Sequence, residues 1–310
     1  MSSAEKTGRI AIKLTNGVVN TMVLLAIMVL LAFGGYAIWD SNQLFGAADA
    51  SNYAIYRPSD EEGQLSFEEL QAINPDVFAW LTVFGTGVDY PVVQGEDNMF
   101  YIARCAKGNF SIAGSIFLHY RRCSSFTDFQ NIFYGHHMAN NAMFGDIGEF
   151  VDREYFDERQ YGMLYFDGRE HGLEFFAFLH TYAADNTVFA PIINNQEDEQ
   201  AYLDMLLQRS MHVREEVPVT TEDRIVLLST CSFASTNGRD ILIGRITDEV
   251  FADPFWTESS DRTNPMIDGI LGLWDQAPIW VRIIIITLPI LLALLLGVLI
   301  YKKRAGKKRM

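Results

Sequence analysis

The sequence predicts a mostly antiparallel β-barrel of six to eight short strands with two or three interposed helices, held between two transmembrane helices. Three observations carry this. Two long apolar runs lie near the ends, each with a basic flank. Between them, short β-rich runs alternate with glycine-containing turns. Few long βαβ alternations occur, which argues against a doubly wound parallel sheet.

The first apolar run, "VVNTMVLLAIMVLLAFGGYAIW" at 18–39, holds no charged residue and is long enough to span a hydrocarbon core as a helix. Lys6, Arg9 and Lys13 precede it. A cleaved signal peptide is disfavoured, because the run is long and the small-residue stretch "GAADA" lies several residues further on. The second run, "IWVRIIIITLPILLALLLGVLIY" at 279–301, carries Arg282 at its outer end, where the side chain can snorkel. The tail "KKRAGKKRM" at 302–310 follows. The positive-inside rule puts both basic flanks, 1–17 and 302–310, in the cytoplasm. The chain between the spans is then one exported domain of about two hundred residues.

That domain is acidic. The whole chain carries −15, and because the two flanks and Arg282 contribute +9, residues 18–281 carry −24. Such a charge disfavours nucleic acid as a partner. Three cysteines, Cys105, Cys123 and Cys231, exclude a disulfide-rich scaffold. In an exported domain this odd count suggests one pair plus one free thiol, or three free thiols.

Residues 40–65 have mixed polarity and read as a stalk. Ser66 followed by Glu69 has capping-box spacing and opens a helix that stops before Pro75. "VFAWLTVFGTGVDYPVVQG" reads as two β runs around a Gly-Thr-Gly turn, and "DNMFYIARCAKGNF" as a short helix and loop. "GSIFLHYR" at 114–121 and "FQNIFYGHHM" at 129–138 are strands. Residues 142–160 repeat apolar positions near helical spacing and read as an amphipathic helix. "YGMLYFDG" and "LEFFAFLHTYAA" form a strand pair around "GREHG". The segment 196–213 is a second clear helix, acidic at its start and basic near its end. "DRIVLLSTCSF" and "GRDILIGRITDEV" close the domain, and 251–278 is a linker.

Three features bear chemistry. Cys231 ends an apolar strand run, where a thiol gains access to substrate, although a cysteine in such a run is commonly just a small hydrophobe. His136 and His137 follow a strand, and adjacent strand residues face opposite ways, so one of the two can share a pocket with the thiol. Neither an HExxH nor a CxxC motif occurs, and an adjacent His pair is a poor chelate on a strand, so no metal or other cofactor is expected. Arg239 and Arg245 follow Cys231, and a hairpin would return one of them to the thiol as an oxyanion donor. By themselves these residues point to thiol acyl transfer and no further.

"INPDVFAWLTV", "VDYPVVQGEDNMFYI", "GSIFLHYR", "IFYGHHM" with "MFGDI", and "VLLSTCSF" with "NGR" stand in the order found in class B sortases, and the chain resembles that family from about residue 66 to 250. The resemblance implies an eight-stranded sortase barrel over 66–250 and a membrane-anchored cysteine transpeptidase. It implies Cys231 as nucleophile, His136 as acid/base and Arg239 as the oxyanion- and substrate-positioning group. The helix at 196–213 matches the one class B members carry before the cysteine strand. Implied partners are secreted proteins with an LPxTG-like or NPxTx-like sorting signal, cleaved after threonine, and an amine from a peptidoglycan precursor or a pilin lysine. The implied location is a Gram-positive-type envelope, with the catalytic domain outside the cell. His119 stands where class B members often have aspartate, and Ser232 and Phe233 stand where some carry an acid. The C-terminal span is more typical of class C, the pilin-polymerising sortases. Two rival readings remain: a catalytically silent binding domain on the same barrel, and a thiol peptidase that hydrolyses its acyl-enzyme.

Overall fold

A computed structural model describes residues 3–58, 67–189, 191, 193–231 and 237–256. The C-terminal span, its tail, most of the linker and the cap at Ser66 lie outside these residues. Helix α1 runs Ser3–Ala48. Its segment Leu14–Ala37 has mean hydropathy 2.3 over its most apolar window and buries none of it against the protein, so by length and composition it can cross a membrane. Helix α2 is Phe67–Ile73.

Nine strands form one sheet: β1 Val77–Val83, β2 Asp89–Val93, β3 Ile116–Leu118, β4 Gln130–Tyr134, β5 Tyr161–Phe166, β6 Arg169–Tyr182, β7 His212–Val213, β8 Arg224–Cys231 and β9 Gly238–Thr247. Their order is β5-β1-β2-β3-β4-β8-β9-β6-β7, and a further β5–β6 ladder closes eight of them into a barrel. The two-residue β7 hangs on the outside of β6. Pairings are antiparallel except β2–β3 and β4–β8. Closure leaves those eight strands without a bare edge, and β6 bends at an irregularity between Phe175 and Ala177 where it pairs with β9.

The middle of β8, Ile225–Leu228, and of β9, Ile241–Ile243, is apolar at every position because both faces are covered there. Val226, Leu228, Leu242 and Ile246 point into the barrel with Trp80, Phe133 and Phe178. Ile225, Leu227, Ile241 and Ile243 point outward, under Tyr202, Leu203 and Leu206 of helix α5, Gln196–Arg209. A two-residue period therefore alternates between two cores rather than between core and water.

Several elements differ from the sequence reading, each for a local reason. The segment after the span is not a free stalk. Helix α1 continues to Ala48, which is buried, and two 3-10 turns follow that bury Tyr53 and Tyr56. Asp49 caps the first turn, and the Tyr90 hydroxyl donates to the Ala48 carbonyl at 2.8 Å. The expected helix over 142–160 breaks into a 3-10 segment, Gly145–Val151, and α3, Arg153–Glu158. Asp152 ends the first and caps the second, accepting from the N–H groups of Glu154 and Tyr155. The β5–β6 turn is Asp167-Gly168, both at positive φ, not the "GREHG" stretch, most of which is strand. Helix α5 stops at Ser210, so His212 and Val213 are free to pair with β6, and a short α4, Asn186–Phe189, precedes it.

Three histidines are held toward their neutral forms. His119, just past β3, lies against Tyr120 and is pushed down to about 4 by burial, with Arg122 and Arg121 adding to it. Its neutral Nδ1 accepts the Arg121 N–H at 3.2 Å. His171 stacks on Phe166 with ring centroids 4.0 Å apart, and burial lowers it, with Arg169 and Arg224 in the same direction. His137 is lowered chiefly by burial, against the opposing pull of Asp240 and Glu149.

Two consequences can be measured on the full chain in detergent. An unfolded histidine takes its proton near pH 6.5, whereas folded His119 takes it near 4. Between those values the unfolded chain binds more protons, so stability falls as pH drops through this window. His119→Gln should flatten that slope; an unchanged dependence of Tm on pH would remove His119 as its source. Leu206 is fully buried between α5 and the outer face of β8 and β9. Leu206→Ala should cost about 3 kcal/mol in urea unfolding; a loss below about 1 kcal/mol would mean that α5 does not brace the sheet.

Candidate active site

The site lies where β8 and β9 come apart. The antiparallel ladder pairs Arg224 with Ile246 at one end and Cys231 with Arg239 at the other. Directly paired residues share a face of a sheet, and Ser229 and Ile241 precede that last pair by two positions each. Cys231 is the final residue of β8, and the next five residues lie outside those described.

A cavity of about 410 Å³ opens on this face. Ser229, Thr230 and Arg239 form one side, Tyr134 and His136 another, and Phe189, Met99 and Ile102 the apolar remainder. Its walls thus come from β3, β4, β8, β9, α4 and the turn at 98–103. Arg239 is half-buried, and among the described residues no carboxylate pairs with it. Its one hydrogen bond there runs from Nη1 to the Gly238 carbonyl at 2.9 Å. The Ser229 hydroxyl is buried in the wall without a hydrogen-bond partner among the described residues. The cavity therefore carries a free cation and an unsatisfied hydroxyl on a mostly apolar lining, a setting suited to a peptide carbonyl.

His136 is fixed from outside the sheet. Its Nε2 lies 2.9 Å from the Ile102 carbonyl. A carbonyl can only accept, so Nε2 carries the hydrogen and Nδ1 is left as the basic ring atom. Two glycines permit the arrangement. A Cβ on Gly135 would strike Phe144 at 2.7 Å, and Gly114, at φ +66°, lets the loop pass within 2.6 Å of the Ile102 oxygen and 3.1 Å of the His136 ring, measured from where a Cβ would stand. The "Tyr-Gly-His" order in the sequence is thus a packing requirement before it is a chemical one.

His137 leaves the cavity side. It forms an isolated bridge with Met143, and its ring approaches the same place beside Gly148 as the Asp240 carboxylate. Asp240 in turn accepts from the His180 Nδ1 at 2.8 Å across the β6–β9 ladder. The acid that follows Arg239 in sequence therefore serves the opposite face and leaves Arg239 unpaired.

Arg245 is far from this site in the ladder. It binds Glu174 at 2.7 Å and the Pro218 carbonyl at the other end of β9. Cys105 and Cys123 are free thiols, so the bridge permitted by an exported setting is not formed. Among the described residues no group of three or more histidine, cysteine or acidic side chains could hold a metal. The parts invisible in the sequence were the Ile102 carbonyl, Ser229 and Phe189. No motif marks a main-chain oxygen, and Ser229 could have been found from its two-residue spacing to Cys231.

No family model matches the chain. It is 31% identical over 180 residues to sortase B of Listeria monocytogenes serovar 1/2a, covering 57% of this chain and 72% of that protein. It is 27% identical over 236 residues to sortase B of Staphylococcus aureus, covering 73% and 96%. Among solved structures it resembles the sortase B from the type II pilus of Streptococcus pneumoniae, at 44% identity and TM-score 0.52, over 60% of this chain and all of that one. It also resembles a Streptococcus pyogenes class B sortase involved in pilus biogenesis, at 40% identity and TM-score 0.54, over 59% and 98%. With a closed eight-stranded barrel and this similarity over its described domain, the chain belongs to the class B sortases and is a cysteine transpeptidase.

Proposed function

We propose that Cys231 is the nucleophile, His136 the acid/base and Arg239 the group that holds the substrate carbonyl, in an enzyme anchored by α1 in the cell membrane. The observation that carries this reading is the Cys231–Arg239 register at the rim of a cavity whose other wall bears His136. The thiolate of Cys231 attacks the threonine carbonyl of a sorting signal of the LPxTG or NPxTx kind. A C–S bond forms as the carbonyl electron pair moves to oxygen, where the Arg239 fork meets it. The C–N bond then breaks, and protonated His136 gives its Nδ1 proton to the leaving amine. With Nε2–H held by the Ile102 carbonyl, Nδ1 is the atom free to carry that proton. A second amine attacks the thioester while neutral His136 takes its proton, and the thiolate is released.

The second amine is taken to be a lysine of a pilin subunit rather than a cell-wall precursor. Support comes from the relatives: the two pilus-associated sortases are 44% and 40% identical to this chain, against 31% and 27% for the Listeria and Staphylococcus sortases B. Anchoring is supported by the apolar helix near the N-terminus. The second span at 279–301 and its cytoplasmic tail complete the proposed topology, with the barrel on the outer side of a Gram-positive-type envelope.

Three readouts test the reading. Cys231→Ala should abolish cleavage of a sorting-signal peptide and the thioester adduct seen by mass spectrometry; an Ala variant that still transfers acyl groups would sink it. Arg239→Lys should lower kcat/KM by roughly 100-fold or more, because an ammonium does not reproduce the planar fork. Near-normal turnover in that variant would assign the carbonyl to another donor. Triglycine added to the peptide assay should give conjugate; release of free acid alone would make the chain a hydrolase, and no reaction a binding domain.

A further inference from the structure

The exported domain is strongly acidic, yet residues 98–127 contain no aspartate or glutamate and carry Arg104, Lys107, Arg121 and Arg122. The same stretch holds an unusual share of exposed apolar side chains. Phe110 is 79% exposed and Ile112 66%, and Met99, Phe100 and Tyr120 are also exposed. Arg104 and Phe110 pair as a miniature hairpin whose tip is Lys107-Gly108, with Gly108 at φ +82°. The Arg104 guanidinium lies 4.4 Å from the Phe100 ring centroid, and that of Arg121 lies 5.2 Å from Tyr120. The Tyr120 N–H donates to the Asn98 side chain, which ties the second basic pair to the first. Basic and aromatic side chains are thus interleaved on one surface, the composition of a protein face that lies on lipid headgroups.

The location fits that composition. Lys107 sits over the rings of Tyr56 and Tyr53, at 4.9 and 5.7 Å, and these tyrosines directly follow the end of α1. Ala47 of α1, Tyr53 and Ala106 line one small cavity. The apolar span ends at Ala37, eleven residues of continuous helix before Ala48. That helix is about 16 Å long. A headgroup layer takes up roughly 5–7 Å of it, which leaves about 10 Å, one Debye length at physiological salt. Tilt of the span shortens this further.

We propose that the 98–122 surface, with Phe110 and Ile112 as apolar contacts and Arg104, Lys107 and Arg121 as headgroup partners, docks on the anionic outer leaflet of the membrane that holds α1. The proposal rests on the reading that α1 is a membrane span, and it goes beyond anchoring. Its inner side carries Met99 and Ile102 into the cavity, and the Ile102 carbonyl holds His136. Docking therefore brings the mouth of the site close to the membrane plane.

The test uses the full chain in phosphatidylglycerol nanodiscs, with p-benzoylphenylalanine replacing Phe110 in one variant and Phe33, within the span, in another. After irradiation, intact-mass analysis should show a one-lipid adduct in both. Phosphatidylcholine discs should lower the adduct at 110 and leave that at 33 unchanged. Lys107→Glu in the 110 variant should lower its yield by about fivefold. A lipid adduct at 33 with none at 110 overturns docking and leaves the anchor standing. No adduct at 33 overturns the anchor and docking together. A peptide adduct at 110 in place of lipid, when a sorting-signal peptide is added, overturns docking in favour of a client-binding surface.

Discussion

The ladder between β8 and β9 sets the cysteine and the arginine of the proposed site against each other. It pairs Cys231 with Arg239, and the two-residue side-chain period extends that pairing back to Ser229 with Ile241 and Leu227 with Ile243. A slip of one residue would exchange the two faces of the strand. Leu227 and Ile225 would then leave the layer under α5 and enter the barrel, and Val226 and Leu228 would do the reverse. Because both layers are closely packed, neither exchange is tolerated. The register that fixes the chemistry is therefore enforced by apolar packing along the whole strand pair, remote from the chemistry itself. The β4–β8 ladder transmits the same constraint to Tyr134, which lies opposite Ser229 and precedes His136 by two residues.

His136 depends on a second and weaker clasp. It lies beyond the last paired residue of β4, so no ladder orients its ring. The hydrogen bond to the Ile102 carbonyl supplies that orientation and selects the tautomer. The carbonyl is itself carried by a short 3-10 turn, Phe100–Ala103, which is braced by Ser115 bonding the Arg104 carbonyl and by Tyr101 bonding Asp76. The histidine is thus set by a loop and the cysteine and arginine by strands, so the two halves of the proposed machinery can move relative to one another at modest cost.

The barrel was legible in the sequence where strands carry continuous apolar runs. "RIVLLSTC" and "DILIGRI" name themselves, and Cys231, His136 and Arg239 stand where those runs end. Local competition hid the rest. The apolar spacing over 142–160 satisfies a helix, but Asp152 prefers the N-cap of α3 and so divides it. The polar look of 40–57 hid Tyr53 and Tyr56, whose neighbours are distant in sequence: Tyr90 and Ala106 beside Tyr53, and Lys107 over Tyr56. The β1–β5 ladder and the parallel β4–β8 pairing are long-range choices that strand patterns do not encode. A main-chain carbonyl such as that of Ile102 leaves no residue-type signature.

Charge is divided along the chain in a way that follows the same architecture. On the face of β9 that bears Asp240, the carboxylate is hydrogen-bonded to His180, and Glu174 and Asp223 near the far end of the barrel are engaged by Arg245. Acids are thereby paired away from Arg239, which keeps its cation unquenched at the cavity. The acid-free stretch 98–127 extends that positive region outward from Met99 and Ile102 to Lys107 and Arg121. An acidic domain with one such sector has a defined orientation above an anionic surface, because the acidic remainder is repelled while this sector is attracted. In the proposed docking, the connection between α1 and the barrel narrows that orientation further, since Ala48, Tyr53 and Tyr56 are buried rather than free to swivel.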